Sequence, residues 1–151
     1  MANKSNKNSN QSSQKMPVPL ASLPAVLLPW YDREKRSLPW RDIVTPYRTW
    51  VSEIMLQQTR VQAVLPYFER FMSAAPDVPA LAELAEDRLL SLWQGLGYYS
   101  RARSLQRSAR VMVDQYGGCL PDTYSDLIQL PGIGDYTAGA ILSIAFNKAV
   151  P

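Results

Sequence analysis

Residues 130–141, Leu-Pro-Gly-Ile-Gly-Asp-Tyr-Thr-Ala-Gly-Ala-Ile (LPGIGDYTAGAI), read as a tight turn feeding directly into a helix. Gly132 and Gly134 allow backbone conformations and close approaches that a side chain would block. Their N–H groups, with the unpaired N–H groups that open the next helix, form an anion site suited to a phosphate. Ile133 plugs the gap between the flanking helices, and the small residues Ala138, Gly139 and Ala140 let them pack closely. Such a clamp holds nucleic-acid backbone without reading bases. The same glycines also suit a plain helix–helix turn, so turn chemistry by itself leaves both readings open.

Working outward, the chain reads as helices with short connections. One helix spans about Leu23 to Lys35. Thr45-Pro46 is a cap followed by proline at the first helical position, and Tyr47, Trp50, Val51, Ile54, Met55 and Gln58 recur at helical spacing behind it. Val61, Val64, Leu65, Phe68 and Met72 mark another helix, with Pro66 bending it or opening it. Leu81–Leu84 and Arg88–Trp93 give two short helices, the second closed by Gly95. Ser100 is the expected cap of a helix reaching Tyr116 and stopped by Gly117-Gly118. Asp122 is the expected cap of one reaching Leu130, and Asp135 of a last helix from Tyr136 to Phe146. No stretch alternates with period two for long enough to be a strand. The expected fold class is all-α.

Composition removes several chemistries. The chain has 151 residues and no histidine, which excludes Ser-His and Cys-His nucleophile pairs and most zinc-hydrolase sites. Its one cysteine, Cys119, forms no internal disulfide and cannot ligate a four-thiolate cluster. The net charge of +3 belongs to the tail: residues 1–15 carry Lys4, Lys7 and Lys15 and no acid. Those 15 residues are polar and of low complexity, and are expected to be disordered. No apolar run has the length of a membrane span.

Acid–base work must therefore come from carboxylates, tyrosine or lysine. Within Leu38–Val61 (LPWRDIVTPYRTWVSEIMLQQTRV), a helical wheel puts Glu53 on the flank of the apolar stripe, near Thr49, Leu56 and Gln57. There it is either an ordinary solvated glutamate or a general acid in a cleft, its pKa raised by burial. Arg101, Arg103, Arg107 and Arg110 form a basic run on one helix, a DNA-facing patch or a solvated face.

Three motifs in order, LPWR with SEIMLQQT (Ser52–Thr59), GLGYYSRAR (Gly95–Arg103) and the hairpin, resemble the adenine DNA glycosylase family of helix-hairpin-helix glycosylases. The similarity runs from about Leu27 to Pro151. It implies a six-helix-barrel lobe (38–151), with 16–37 belonging to an incomplete second, iron–sulfur lobe. It also implies removal of adenine mispaired with 8-oxoguanine or guanine, by base release alone. Glu53 then matches the acid that protonates adenine N7, and Tyr136 a residue beside the reacting sugar. Trp40, Arg41 and Leu56 match positions lining the adenine pocket. Gln58 and Tyr98 match side chains that enter the base stack, and Thr59 matches a DNA-binding position beside Gln58. Gly132, Ile133, Gly134 and Thr137 match the phosphate-gripping hairpin, where a monovalent cation often sits on carbonyls. The implied partner is duplex DNA bound by a monomer, in the cytoplasm and nucleoid of a bacterium.

The chain departs from that pattern in one important respect. The family places a catalytic aspartate in an Asp-Gly-Asn-Val context just after the hairpin's second helix, and the sequence stops at Ala149-Val150-Pro151 before reaching it. The [4Fe-4S] cysteines of the full-length family are absent too. The expectation is a polypeptide with little or no catalysis and marginal stability, whose first helix exposes Val26, Leu27, Trp30 and Tyr31. Two alternatives stand beside this one. The first is a pyrimidine-lesion glycosylase/lyase, which needs a lysine nucleophile where this chain has Asp135-Tyr136-Thr137. The second is a non-catalytic helix-hairpin-helix clamp.

Overall fold

Thr45 and Pro46 start the helix around which the fold is organised. Thr45 is extended and its hydroxyl accepts from Arg48 N, while Pro46 supplies a fixed φ where no N–H is needed. The computed structural model describes residues 22–149 and is all-helical over that range. The expected disordered tail, 1–15, and the last two residues lie outside the described range. The chain divides into two units, Met1–Arg36 and Ser37–Pro151.

In the first unit, α1 (Leu23–Glu34) carries Pro29 inside it and buries no residue. Val26, Leu27, Trp30 and Tyr31 are exposed, as the sequence led us to expect.

The second unit holds α2 (Pro39–Asp42), α3 (Pro46–Leu56), α4 (Val61–Ala74), α5 (Val78–Glu83), α6 (Glu86–Trp93), α7 (Ser100–Tyr116), α8 (Tyr124–Leu127) and α9 (Asp135–Phe146). The central α3 packs against α9, α4 and α7, and α5 lies along α7. Trp50, Val51 and Met55 of α3 are fully buried, and they meet Phe68 and Phe71 of α4, Trp93 of α6, Leu105 and Met112 of α7 and Ile141 of α9 in one core. Each inward face follows the helical repeat: Val64, Phe68, Phe71 on α4, and Ala102, Leu105, Ala109, Met112 on α7. Edge-to-face pairs, Trp40–Phe68 at 5.0 Å and Phe71–Trp93 at 6.1 Å between centroids, fix ring orientations in that core. Two polar struts cross it. Tyr47 donates its hydroxyl to Ala75 O at 2.7 Å, and Gln106 donates to the Leu81 and Leu84 carbonyls at the end of α5. Burial and the nearby Asp77 carboxylate hold the Tyr47 phenol well above its ordinary pKa, so it stays a donor.

Several boundaries differ from the sequence reading. Gln58 is not on α3: the helix ends at Leu56, and Gln58 is exposed with φ +57°. Pro66 does not open α4, which starts at Val61 and runs through it. The third of the differences is at Gly95, which lies past the C-cap Gln94 at φ +105°. Ser100 is the first residue of α7 and caps nothing; the cap position is Tyr99, in helical conformation and without a side-chain bond. Thr123, not Asp122, caps α8, because Asp122 is engaged by Lys148, and α8 closes at Leu127 rather than Leu130. Asp135 is likewise inside its helix, with Gly134 at the cap, and its carboxylate accepts from Tyr124 Oη at 2.8 Å.

Candidate functional site

The last turn of α3 carries the carboxylate. Glu53 is half-buried, and burial raises its pKa above the ordinary glutamate value, against the opposing pull of Arg41 on α2. Burial disfavours the ionised form of this carboxyl. Arg41 is exposed and Leu56 half-buried, whereas Trp40 lies in the core against Phe68.

One turn beyond Glu53 the chain reverses. Gln58 (φ +57°) and Tyr98 (φ +49°) are both left-handed and exposed, and Asn147 is the one other such non-glycine among the described residues. Tyr98 is 65% exposed, at the tip of the loop between α6 and α7. Gln57, Gln58, Tyr98, Ser100 and Arg101 line an open cleft of about 500 Å³. Thr59 is half-buried, and its hydroxyl is within 3.3 Å of Gln57 O and 3.4 Å of Arg101 Nη2.

The hairpin is fixed from α7. Ser108 donates to Pro131 O at 2.7 Å, and Ile133, 5% exposed, is wedged into the core with its N–H on Leu130 O. Gly132 sits at φ +81°, and a Cβ there would meet Ser104 Cβ at 2.8 Å, so this glycine is required by the turn itself. Gly134 is different: its φ is −99°, and nothing lies within 4 Å of where a Cβ would be. Open space therefore faces the start of α9, whose first N–H groups have no helical partner. Thr137 is buried and accepts from Gln57 Nε2 at 3.5 Å, tying the hairpin helix to the end of α3. Tyr136, one residue earlier, is 79% exposed.

The arginine run divides, with Arg103, Arg107 and Arg110 exposed on one side of α7 and Arg101 on the other. Arg103 pairs with Glu86 at 2.8 Å, Arg107 reaches Ser104, and Arg110 donates to Ala82 O. Arg101 points the other way, over the Trp93 and Tyr98 rings and into a ring of carbonyls. From sequence, Gln57 stood out only as a neighbour of Glu53 and Arg101 only as a member of the arginine run. The available signal was that Arg101 falls on the opposite side of a helical wheel from its three neighbours in the run.

An open hairpin at a helix start, two exposed left-handed side chains and a half-buried glutamate thus lie on one helical lobe. The profile of the HhH-GPD superfamily base excision DNA repair proteins matches residues 51–151, and the chain belongs to that family. Among curated relatives, adenine DNA glycosylase of Buchnera aphidicola (subsp. Baizongia pistaciae) is 46% identical over 122 residues, covering 80% of this chain and 35% of that protein. The mouse adenine DNA glycosylase is 50% identical over 131 residues, covering 81% and 25%. The chain thus spans about a third or less of the length of these curated relatives. Among solved structures, a thermostable thymine-DNA glycosylase superimposes with a TM-score of 0.78 at 26% identity, over 85% of this chain and 59% of the other. A trapped endonuclease III–DNA covalent intermediate shares the fold, with a TM-score of 0.70 at 20% identity over 82% and 57%.

The iron–sulfur cluster implied by the family does not fit the residues present. Cys119 is the single cysteine of the chain and is exposed, and no cluster of three or more ligand-type side chains occurs among the described residues.

Proposed function

We propose that this chain is the base-extruding lobe of a monofunctional adenine DNA glycosylase, acting on adenine opposite 8-oxoguanine or guanine in duplex DNA. The observation that carries the proposal is Glu53: a half-buried carboxyl with a raised pKa, one helical turn before the loop that presents Gln58. In this reading the hairpin N–H groups hold the phosphate backbone. Gln58 and Tyr98 fill the space left in the base stack when adenine is extruded. Arg41 and Leu56, backed by Trp40, border the base, and Glu53 gives its proton to N7. The glycosidic bond then breaks with its electron pair on adenine, leaving an oxocarbenium-like sugar beside Tyr136 that water captures. A cation on the hairpin carbonyls belongs to the proposal but to no step in it, and the protein is proposed to act as a monomer at bacterial chromosomal DNA.

The lyase alternative is disfavoured by Lys148, whose ammonium is held by the Asp122 carbonyl and carboxylate. The sequence contains no acid after Asp135. A second carboxylate to stabilise the cationic sugar is therefore missing from the segment that follows the hairpin, and the 151-residue polypeptide alone is proposed to bind such DNA but release little adenine.

The test is single-turnover adenine release from a duplex with one adenine opposite 8-oxoguanine. It is run with this chain and with the chain continued past Pro151 by the corresponding mouse segment. Release by the continued chain, lost in Glu53→Gln, supports the proposal. Release that survives Glu53→Gln removes Glu53 as the acid, and duplex binding blind to the adenine mispair favours the passive clamp.

A further inference from the structure

Resting on the reading of Gln58 and Tyr98 as stack-entering side chains, we propose that Arg101 is a positioning residue that sets both of them from one guanidinium. Left-handed φ at a non-glycine residue is strained and persists only where its surroundings enforce it. The peptide plane before each of these residues ends in a carbonyl that Arg101 holds. Arg101 Nη1 donates to Gln57 O at 2.6 Å, and Nη2 to Gly97 O at 3.3 Å. Rotation about φ of Gln58 or Tyr98 would have to swing that anchored plane. The same group also takes the Ile54 and Met55 carbonyls at the end of α3 (2.8 and 3.1 Å) and Leu96 O (3.3 Å). It lies 5.7 Å from the Tyr98 ring centroid.

A planar fork is needed for this, because its donors diverge toward two loops at fixed angles; an ammonium is a point charge and cannot reach both. The geometry also argues against a phosphate contact for Arg101. Its four Nη hydrogens already face five carbonyls and the Thr59 hydroxyl, and the one N–H without a partner, at Nε, is buried away from DNA. Replacing the arginine therefore perturbs two loops that are 40 residues apart in sequence, both together.

The experiment compares wild type with Arg101→Lys in two readouts. Without DNA, NMR backbone shifts and amide couplings report φ at Gln58 and Tyr98. With DNA, 2-aminopurine beside the 8-oxoguanine reports unstacking, and titrations at several salt concentrations report phosphate contacts. The expected result is loss of left-handed φ at both positions and loss of the unstacking signal, with the salt slope of binding unchanged. Should lysine leave either loop in place, or flatten the salt slope by about one as a lost phosphate contact does, the proposal is overturned. If Arg101→Lys does not fold, the wild-type guanidinium decides: restricted Nη rotation with cross-peaks to both loops upholds the proposal, and free rotation refutes it. A wild type that binds no duplex defeats the glycosylase reading, while the DNA-free arm still judges Arg101.

Discussion

Gly132→Ala and Gly134→Ala should separate the two duties of the hairpin. At Gly132 an alanine must hold φ +81° and place its Cβ 2.8 Å from Ser104 Cβ. The left-handed backbone costs about 1–2 kcal/mol for an L-residue, and forcing an extra carbon into a packed contact adds about 1–3 kcal/mol. The total is roughly 2–4 kcal/mol, which for a domain of this size lowers the melting temperature by about 8–15 °C. At Gly134 the φ of −99° is ordinary and the Cβ meets nothing within 4 Å, so the melt should move by less than about 2 °C. That Cβ instead stands at the mouth of α9, where an approaching phosphate needs the bare backbone, so duplex affinity falls while stability holds. Differential scanning fluorimetry and anisotropy titration read the two effects. A Gly132→Ala melt within about 3 °C of wild type would refute the steric reasoning, and unchanged affinity for Gly134→Ala would refute the placement of phosphate there.

Two further outcomes are expected. Tyr47→Phe removes the donor to Ala75 O from a buried pair, and urea unfolding should show a loss of about 1–2 kcal/mol; an unchanged midpoint would mean the strut contributes nothing. Glu53→Gln should melt higher than wild type at neutral pH. The folded pKa of Glu53 is raised above its unfolded value, so its favourable contribution is present below the unfolded pKa and is lost as pH rises through the folded one. The advantage of glutamine should therefore vanish as pH falls below the ordinary glutamate range of about 4, and a gap that persists in acid contradicts it.

The hairpin was legible because glycine and proline act on the backbone directly, and Gly132 carries its constraint in its own φ and contact. The helices were legible from apolar spacing, as on α4 and α7. Their ends were not, because neighbouring polar residues compete for each cap and distant partners decide between them. Lys148 draws Asp122 away from α8 and leaves Thr123 to cap it, and Asp135 accepts from Tyr124 inside its helix. The end of α3 was misplaced for the same reason. No glycine or proline stops it there; the carbonyls of Ile54, Met55 and Gln57 are taken by an arginine more than 40 residues away. Glu53 could be placed on its flank by periodicity, but its burial and the Arg41 charge acting on it arise from tertiary packing that periodicity does not carry.

The central claim is that Glu53 is an acid whose pKa burial raises above the ordinary glutamate value, and the most direct measurement is its own titration. Carboxyl-carbon NMR of the chain labelled at glutamate, with Glu53→Gln to assign the resonance, gives that curve without DNA. The account predicts that Glu53 titrates above the other glutamates, and that its midpoint drops when the site is opened to water by unfolding. A Glu53 resonance that titrates with, or below, the exposed glutamates would contradict the account.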